Sequence, residues 1–87
     1  MMSVLGIKDV LAQKFIQVIP TYNLDVTKRD LMNLVNRPSN SIFFTNPDDF
    51  RVYEIGSFDE ETGALSPLAE AKPCFYLSDL KGNVQVQ

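Results

Sequence analysis

A small α+β domain, built from an antiparallel sheet of about four strands with one amphipathic helix on one face, is the fold that this 87-residue sequence predicts. Three observations predict it. Short β-branched and aromatic runs recur at residues 4–7, 14–19, 50–58 and 64–68, each bounded by turn residues. One stretch, residues 27–36, carries apolar side chains at helical spacing. A polar five-residue segment, DEETG at residues 59–63, marks a hairpin between the last two runs. The length suits one domain over residues 1–87, with residues 68–87 read as a loosely ordered tail.

Taken in order, VLGI (4–7) and KFIQVI (14–19) read as strands, the second ending at Pro20, whose missing N–H belongs at a strand edge or end. Residues 9–13 between them are a connection that a strand turn or a turn of helix would serve equally. In residues 27–30 (TKRD), Thr27 is placed to cap a helix and Asp30 to answer it, with Val26 and Leu31 at the spacing of a hydrophobic staple. Leu31, Leu34 and Val35 share one helical face, and Pro38 should stop the helix near Asn36. Residues 37–41 are a loop, residues 42–44 an apolar tether and residues 46–49 a turn. Residues 50–58 alternate with both faces partly apolar, which suits a central strand, and Gly56 within them suggests a bulge or a close backbone approach. Gly63 is free to take positive φ at the end of the hairpin turn. Residues 74–77 form one further extended piece before a polar end that frays.

The formal charge of −3 conceals a gradient: residues 1–37 carry five cations against three acids, and residues 38–87 carry three cations against eight acids. A mildly basic front and an acidic back argue against a dense polyanion-binding patch over the whole surface, but allow a local one. No long apolar block is present, so no membrane span is expected, and the first residues lack the pattern of an export signal. Cys74 is the single cysteine and histidine is absent, which removes intramolecular disulfides, zinc sites of the usual spacing and histidine-based nucleophilic catalysis. The acids at Asp48, Asp49, Asp59, Glu60 and Glu61 lie in turns and lack the spacing of a calcium loop. No enzyme, no cofactor and no metal are therefore expected.

Binding is the chemistry that remains. Lys14, Lys28, Arg29 and Arg51 supply cations, and Tyr22 and Tyr53 supply flat rings, with Phe15 beside Lys14. Cations to meet phosphates and rings to stack on bases are what a single-stranded nucleic-acid surface uses. One helix on a four-stranded sheet leaves the other sheet face open to solvent, to nucleic acid or to a second copy of the chain. A homodimer is expected, because it would double the modest positive charge of the front and cover apolar surface. The other reading is a protein-interaction module with the acidic hairpin as its binding edge.

The stretch NPDDFRVYEIGSFDEETGALSPL (46–68) resembles a segment of the small nonstructural protein of single-stranded DNA microviruses of the gokushovirus type. There, a His-Pro-Glu-Asp-aromatic turn leads into a Leu-Tyr-Glu-Ile-Gly-like strand and an acidic hairpin ending in glycine. The matching residues are Pro47, Asp48, Asp49, Phe50, Tyr53, Glu54, Ile55, Gly56, Phe58, Asp59 and Gly63. AQKFIQVIPTYN (12–23) resembles that family's strand before its helix, with Phe15 and Pro20 in step, and LMNLVNRP (31–38) resembles its helix end, notably at Val35 and Asn36. The likeness runs over residues 9–68 and departs at Asn46, where histidine would be usual. It implies a nonenzymatic protein of the infected bacterial cytoplasm that associates with single-stranded DNA and acts in viral DNA replication or genome packaging. Single-stranded DNA is the partner it implies, whereas the interaction-module reading would have the chain contact a phage or host replication protein.

Overall fold

A computed structural model of the chain describes residues 1–82. Strand β1 (Met2–Asp9) turns directly into β2 (Lys14–Thr21). The undecided connection is a turn: the Asp9 carboxylate accepts from the N–H groups of Leu11 and Ala12 at 3.0 and 3.2 Å, and Gln13 takes a positive φ of 58°. Helix α1 (Leu24–Asn36) follows, then a single-turn helix α2 (Ile42–Thr45) where the sequence suggested a tether, and a 3-10 turn at Pro47–Asp49. Strand β3 (Phe50–Phe58) and strand β4 (Leu65–Tyr76) form the hairpin, and a second 3-10 turn (Leu77–Leu80) closes the described chain. All pairings are antiparallel and the strand order is β2-β1-β3-β4. Residues 50–58 are thus central, as their two apolar faces suggested.

Two expectations about the helix change. Its cap is Asn23 rather than Thr27: the Asn23 side chain accepts from the N–H groups of Asp25 and Val26 at 2.9 and 3.4 Å, satisfying two of the orphan donors of the first turn. Thr27 lies inside that turn and its hydroxyl donates to Thr21 Oγ1 at 2.6 Å, tying the helix start to the end of β2. Asparagine caps as well as threonine, and the polar interval before Thr27 hid the earlier start. Leu34, expected on the buried face, is 37 % exposed. The helix stops where Pro38 demands, with Arg37 already extended at φ −85°, ψ 118°.

The core fills one face of the sheet only. Leu5 and Ile7 of β1 and Phe50 and Val52 of β3 meet Leu31 and Val35 of α1, together with Leu77 and Leu80. The expected tail is therefore structural up to residue 82: β4 continues unbroken to Tyr76, and the next turn inserts two leucines into the core. Strand β4 also absorbs residues 74–76 of the separate extended piece read at residues 74–77, whose last residue, Leu77, opens the 3-10 turn instead, while residues 83–87, where fraying was expected, lie outside the described chain. Asn36 holds this return in place, donating to Met32 O and Leu80 O and accepting from Gly82 N. Lys81 Nζ donates to Val35 O and Phe44 O at 2.8 and 3.1 Å, so its charge sits on a carbonyl at the end of α1, where the helix dipole favours a cation, and on one of α2.

The bulge expected at Gly56 is present, for the β3–β4 register shifts between Glu54 and Gly56. A Cβ at residue 56 would lie 2.5 Å from Ser66 O, so only glycine admits that approach of the two backbones. Gly63 has φ 79°.

Candidate nucleic-acid interface

Strand alternation and register decide what the uncovered face presents. Leu5, Ile7 and Val52 point to the helix, so Val4, Gly6, Lys8 and their partners point away from it. Lys8 lies opposite Phe15 of β2 on one side and Arg51 of β3 on the other, and Arg51 lies opposite Tyr76 of β4. One row, Phe15–Lys8–Arg51–Tyr76, therefore crosses all four strands. Tyr53, opposite Gly6 and two residues from Arg51, adds a third ring.

Gly6 makes room for that ring cluster. A Cβ there would meet the Phe15 ring at 2.9 Å and Ile55 Cδ1 at 3.3 Å, so its absence lets Phe15 lie over the strand and reach Tyr53. The Phe15 and Tyr53 rings meet edge to face, with centroids 5.3 Å apart at 71°. Lys8 Nζ stands 5.8 Å from both centroids. The Arg51 guanidinium is 5.4 Å from the Tyr53 centroid and 4.9 Å from that of Tyr76. Rings and cations thus interleave within cation–π range. Among the described residues neither Lys8 nor Arg51 forms an ion pair, and Arg51 Nε is buried without a hydrogen-bond partner. Two cations held on rings instead of carboxylates keep their charge available to an incoming anion.

The six residues singled out from sequence divide. Arg51 and Tyr53 join this row. Lys14 is one position from Phe15 and, by alternation opposite Asp9, faces the helix side. Lys28 on α1 reaches across the helix layer to lie 5.4 Å from the Phe75 ring. Arg29 is exposed on α1, and Tyr22 stands 75 % exposed between β2 and α1. Four of the six therefore lie outside this row. Sequence reasoning missed Lys8 and Tyr76. Extending the first strand by one residue would have put Lys8 in phase with Val4 and Gly6; Tyr76 needed the unbroken length of β4, for which the sequence carries no local signal.

Beyond Gly6 the same face turns apolar. Val4, Val18, Ile55, Gly56, Leu65 and Pro67 line a shallow groove of about 360 Å³. Past it, the acidic hairpin turn carries Asp59, whose carboxylate is held below its usual range chiefly by the Glu61 N–H at 2.9 Å, with further help from Thr62. Glu60 meets the N-terminal ammonium at 3.3 Å. The described residues hold no cluster of three or more His, Cys, Asp or Glu side chains placed for a metal, and no helix among them is long and apolar enough to cross a membrane.

The class this defines is a small two-layer α+β protein whose free sheet face interleaves rings with cations that form no ion pair among the described residues. The chain belongs to the Phage ORF5 protein family, whose sequence model matches residues 2–80. No curated protein and no solved structure matches it. It is a phage protein, and the family match reaches past residue 68 to include β4 and the leucine-bearing turn that completes the core.

Proposed function

We propose that this phage protein is nonenzymatic and holds single-stranded DNA on the uncovered face of its sheet, acting in viral DNA replication or genome packaging within the bacterial cytoplasm. The microvirus resemblance of residues 9–68 supports that setting. The observation that carries the reading is the row of Phe15, Lys8, Tyr53, Arg51 and Tyr76. Phosphates would draw Lys8 and Arg51 off the rings they cover. The uncovered rings then accept bases, each stack contributing about 1–3 kcal/mol without regard to sequence. A duplex, whose bases are already stacked and paired, offers nothing to those rings. Lys14, Lys28, Arg29 and Tyr22 take a secondary part, extending phosphate contact around the edge of β2 and over α1.

Fluorescence anisotropy with single- and double-stranded oligonucleotides at two salt concentrations tests this. Tighter binding of the single strand is expected, with a salt slope that falls by about 0.7 for each phosphate contact removed. The K8A/R51A pair should flatten the slope by about 1.4, and Tyr53→Ala should weaken binding with the slope unchanged. Equal affinity for both oligonucleotides, or a slope indifferent to K8A/R51A, would refute the reading.

A second reading rests on the acids of the hairpin turn, half-buried Asp59 and exposed Glu60 and Glu61, which sit past the far end of β3 from Arg51, roughly 26 Å away at strand rise. In it, the hairpin docks a basic surface on a phage or host replication protein. Capture of such a protein from nuclease-treated infected cells, lost on charge reversal of the three acids, would favour it over the DNA reading.

A further inference from the structure

The two outer edges of the sheet are built differently. On β4, Pro67 and Pro73 remove ladder donors, Glu70 and Lys72 add charge, and the register with β3 shifts twice. Those are the devices by which proteins blunt an edge against further pairing. Strand β2 is less protected. Its one charge is Lys14 at the first residue, its proline is the next-to-last residue, and its register with β1 shifts once, between Ile7 and Lys8.

Exposed apolar surface collects along that same edge. Among the described residues twelve large hydrophobic side chains are exposed, and seven of them fall within residues 11–26, on β2, its flanking turns and the first turn of α1. Phe15 and Val18 stand 43 and 58 % exposed on the uncovered face. On the helix side Leu24 and Val26 are each 43 % exposed at the start of α1, which the Thr27–Thr21 hydrogen bond holds over the end of β2. An open ladder with apolar side chains above and below it is the surface of a strand that continues into another strand.

We propose that β2 pairs antiparallel with β2 of a second copy of the chain, giving one eight-stranded sheet. The strand's charge distribution selects both the partner and the direction. An antiparallel mate sets Lys14 against the uncharged far end of its neighbour, roughly 23 Å from the other Lys14, whereas a parallel mate would place the two lysines side by side. A two-fold axis through the sheet closes the assembly at two copies and leaves only blunted β4 edges outside. That axis also turns both uncovered faces to the same side. The two rows of rings and cations then share one surface, which fits a longer stretch of a nucleic-acid strand than one copy spans. The pairing itself is independent of the DNA reading, and its tests use protein alone.

Sedimentation equilibrium from 1 to 200 µM (about the range in which modest interfaces are resolved) should give twice the 9.8 kDa of one chain. Val18→Lys and Val18→Glu should each halve the mass with unchanged circular dichroism, and an equimolar mixture should restore a heterodimer. Leu68→Lys, on β4, should leave the dimer intact. In a Cys74→Ser background, nitroxides at Gln17→Cys should lie within about 15 Å of each other, and those at Leu68→Cys about 34 Å apart, seven strand spacings away. The Gln17→Cys distance also decides the matter if the Val18 variants fold poorly. A monomer at 200 µM, a dimer untouched by the Val18 substitutions, or a 68-to-68 distance shorter than the 17-to-17 distance overturns the proposal.

Discussion

Arg51 shows how much one position settles. Its guanidinium lies between Tyr53 and Tyr76, Nε is buried and unpartnered, and no carboxylate among the described residues pairs with it. That arrangement leaves a cation poised for an external anion, and the sequence pointed to it because Arg51 and Tyr53 share a strand face by simple alternation. Gly56 is a residue of the opposite kind, fixed by the approach of Ser66 O. Gly56→Ala should cost about 1–3 kcal/mol by forcing the two backbones apart, lowering the melting temperature by roughly 4–8 °C for each kcal/mol in a domain of this size; a calorimetric scan checks it. Asp59 gives a pH prediction. Because N–H groups of the hairpin turn favour its carboxylate in the folded chain, its pKa is depressed. Its contribution to the turn is present above the ordinary carboxylate range and lost as pH falls through the depressed value. Carbon-detected NMR titration should show Asp59 titrating below the ordinary carboxylate range, and Asp59→Ala should remove the acid-dependent shifts of Glu61 and Thr62 amides.

At the scale of elements, the helix and the C-terminal return carry the consequences. Asn23→Ala removes the acceptor of two N–H groups and should cost about 0.5–2 kcal/mol, whereas Thr27→Ala, with its backbone N–H still bonded to Asn23 O at 3.2 Å, should cost less. Urea denaturation of the two variants side by side measures the difference, and the reverse order would restore Thr27 as the cap. The return after β4 is the less obvious support. Leu77 has no exposed surface and Leu80 2 %, so Leu77→Ala should cost about 2–5 kcal/mol, a large share of the 5–15 kcal/mol that a whole domain holds. Truncation after Tyr76 should abolish cooperative unfolding. The turn they form escaped sequence reasoning because LSDLKG is too short to display a repeat; two leucines three apart in a polar end carry no sign of where they point.

Over the whole molecule, the parts combine into a plate 19 Å thick, one sheet with α1 on one side. A single layer of helix leaves the other face wet, and that face divides into a cationic aromatic half and an apolar half. K8A/R51A should therefore act on DNA affinity while costing only about 1–2 kcal/mol of stability, the worth of the cation–π contacts it removes; thermal melts of that variant beside its binding isotherms separate the two effects. The first three strands, the start of the fourth, the helix end at Pro38, the Gly56 bulge and the α+β class were legible in the sequence, because alternation, helical spacing and turn chemistry are properties of neighbouring residues. Which cations and rings meet was not. Lys8 and Arg51 are separated by more than forty positions, and their adjacency exists only because β1 is inserted between β2 and β3 and paired in one register. Residue patterns specify which face of an element is apolar, but the assembly of elements, driven by burying those faces together, decides what is left side by side on the outside.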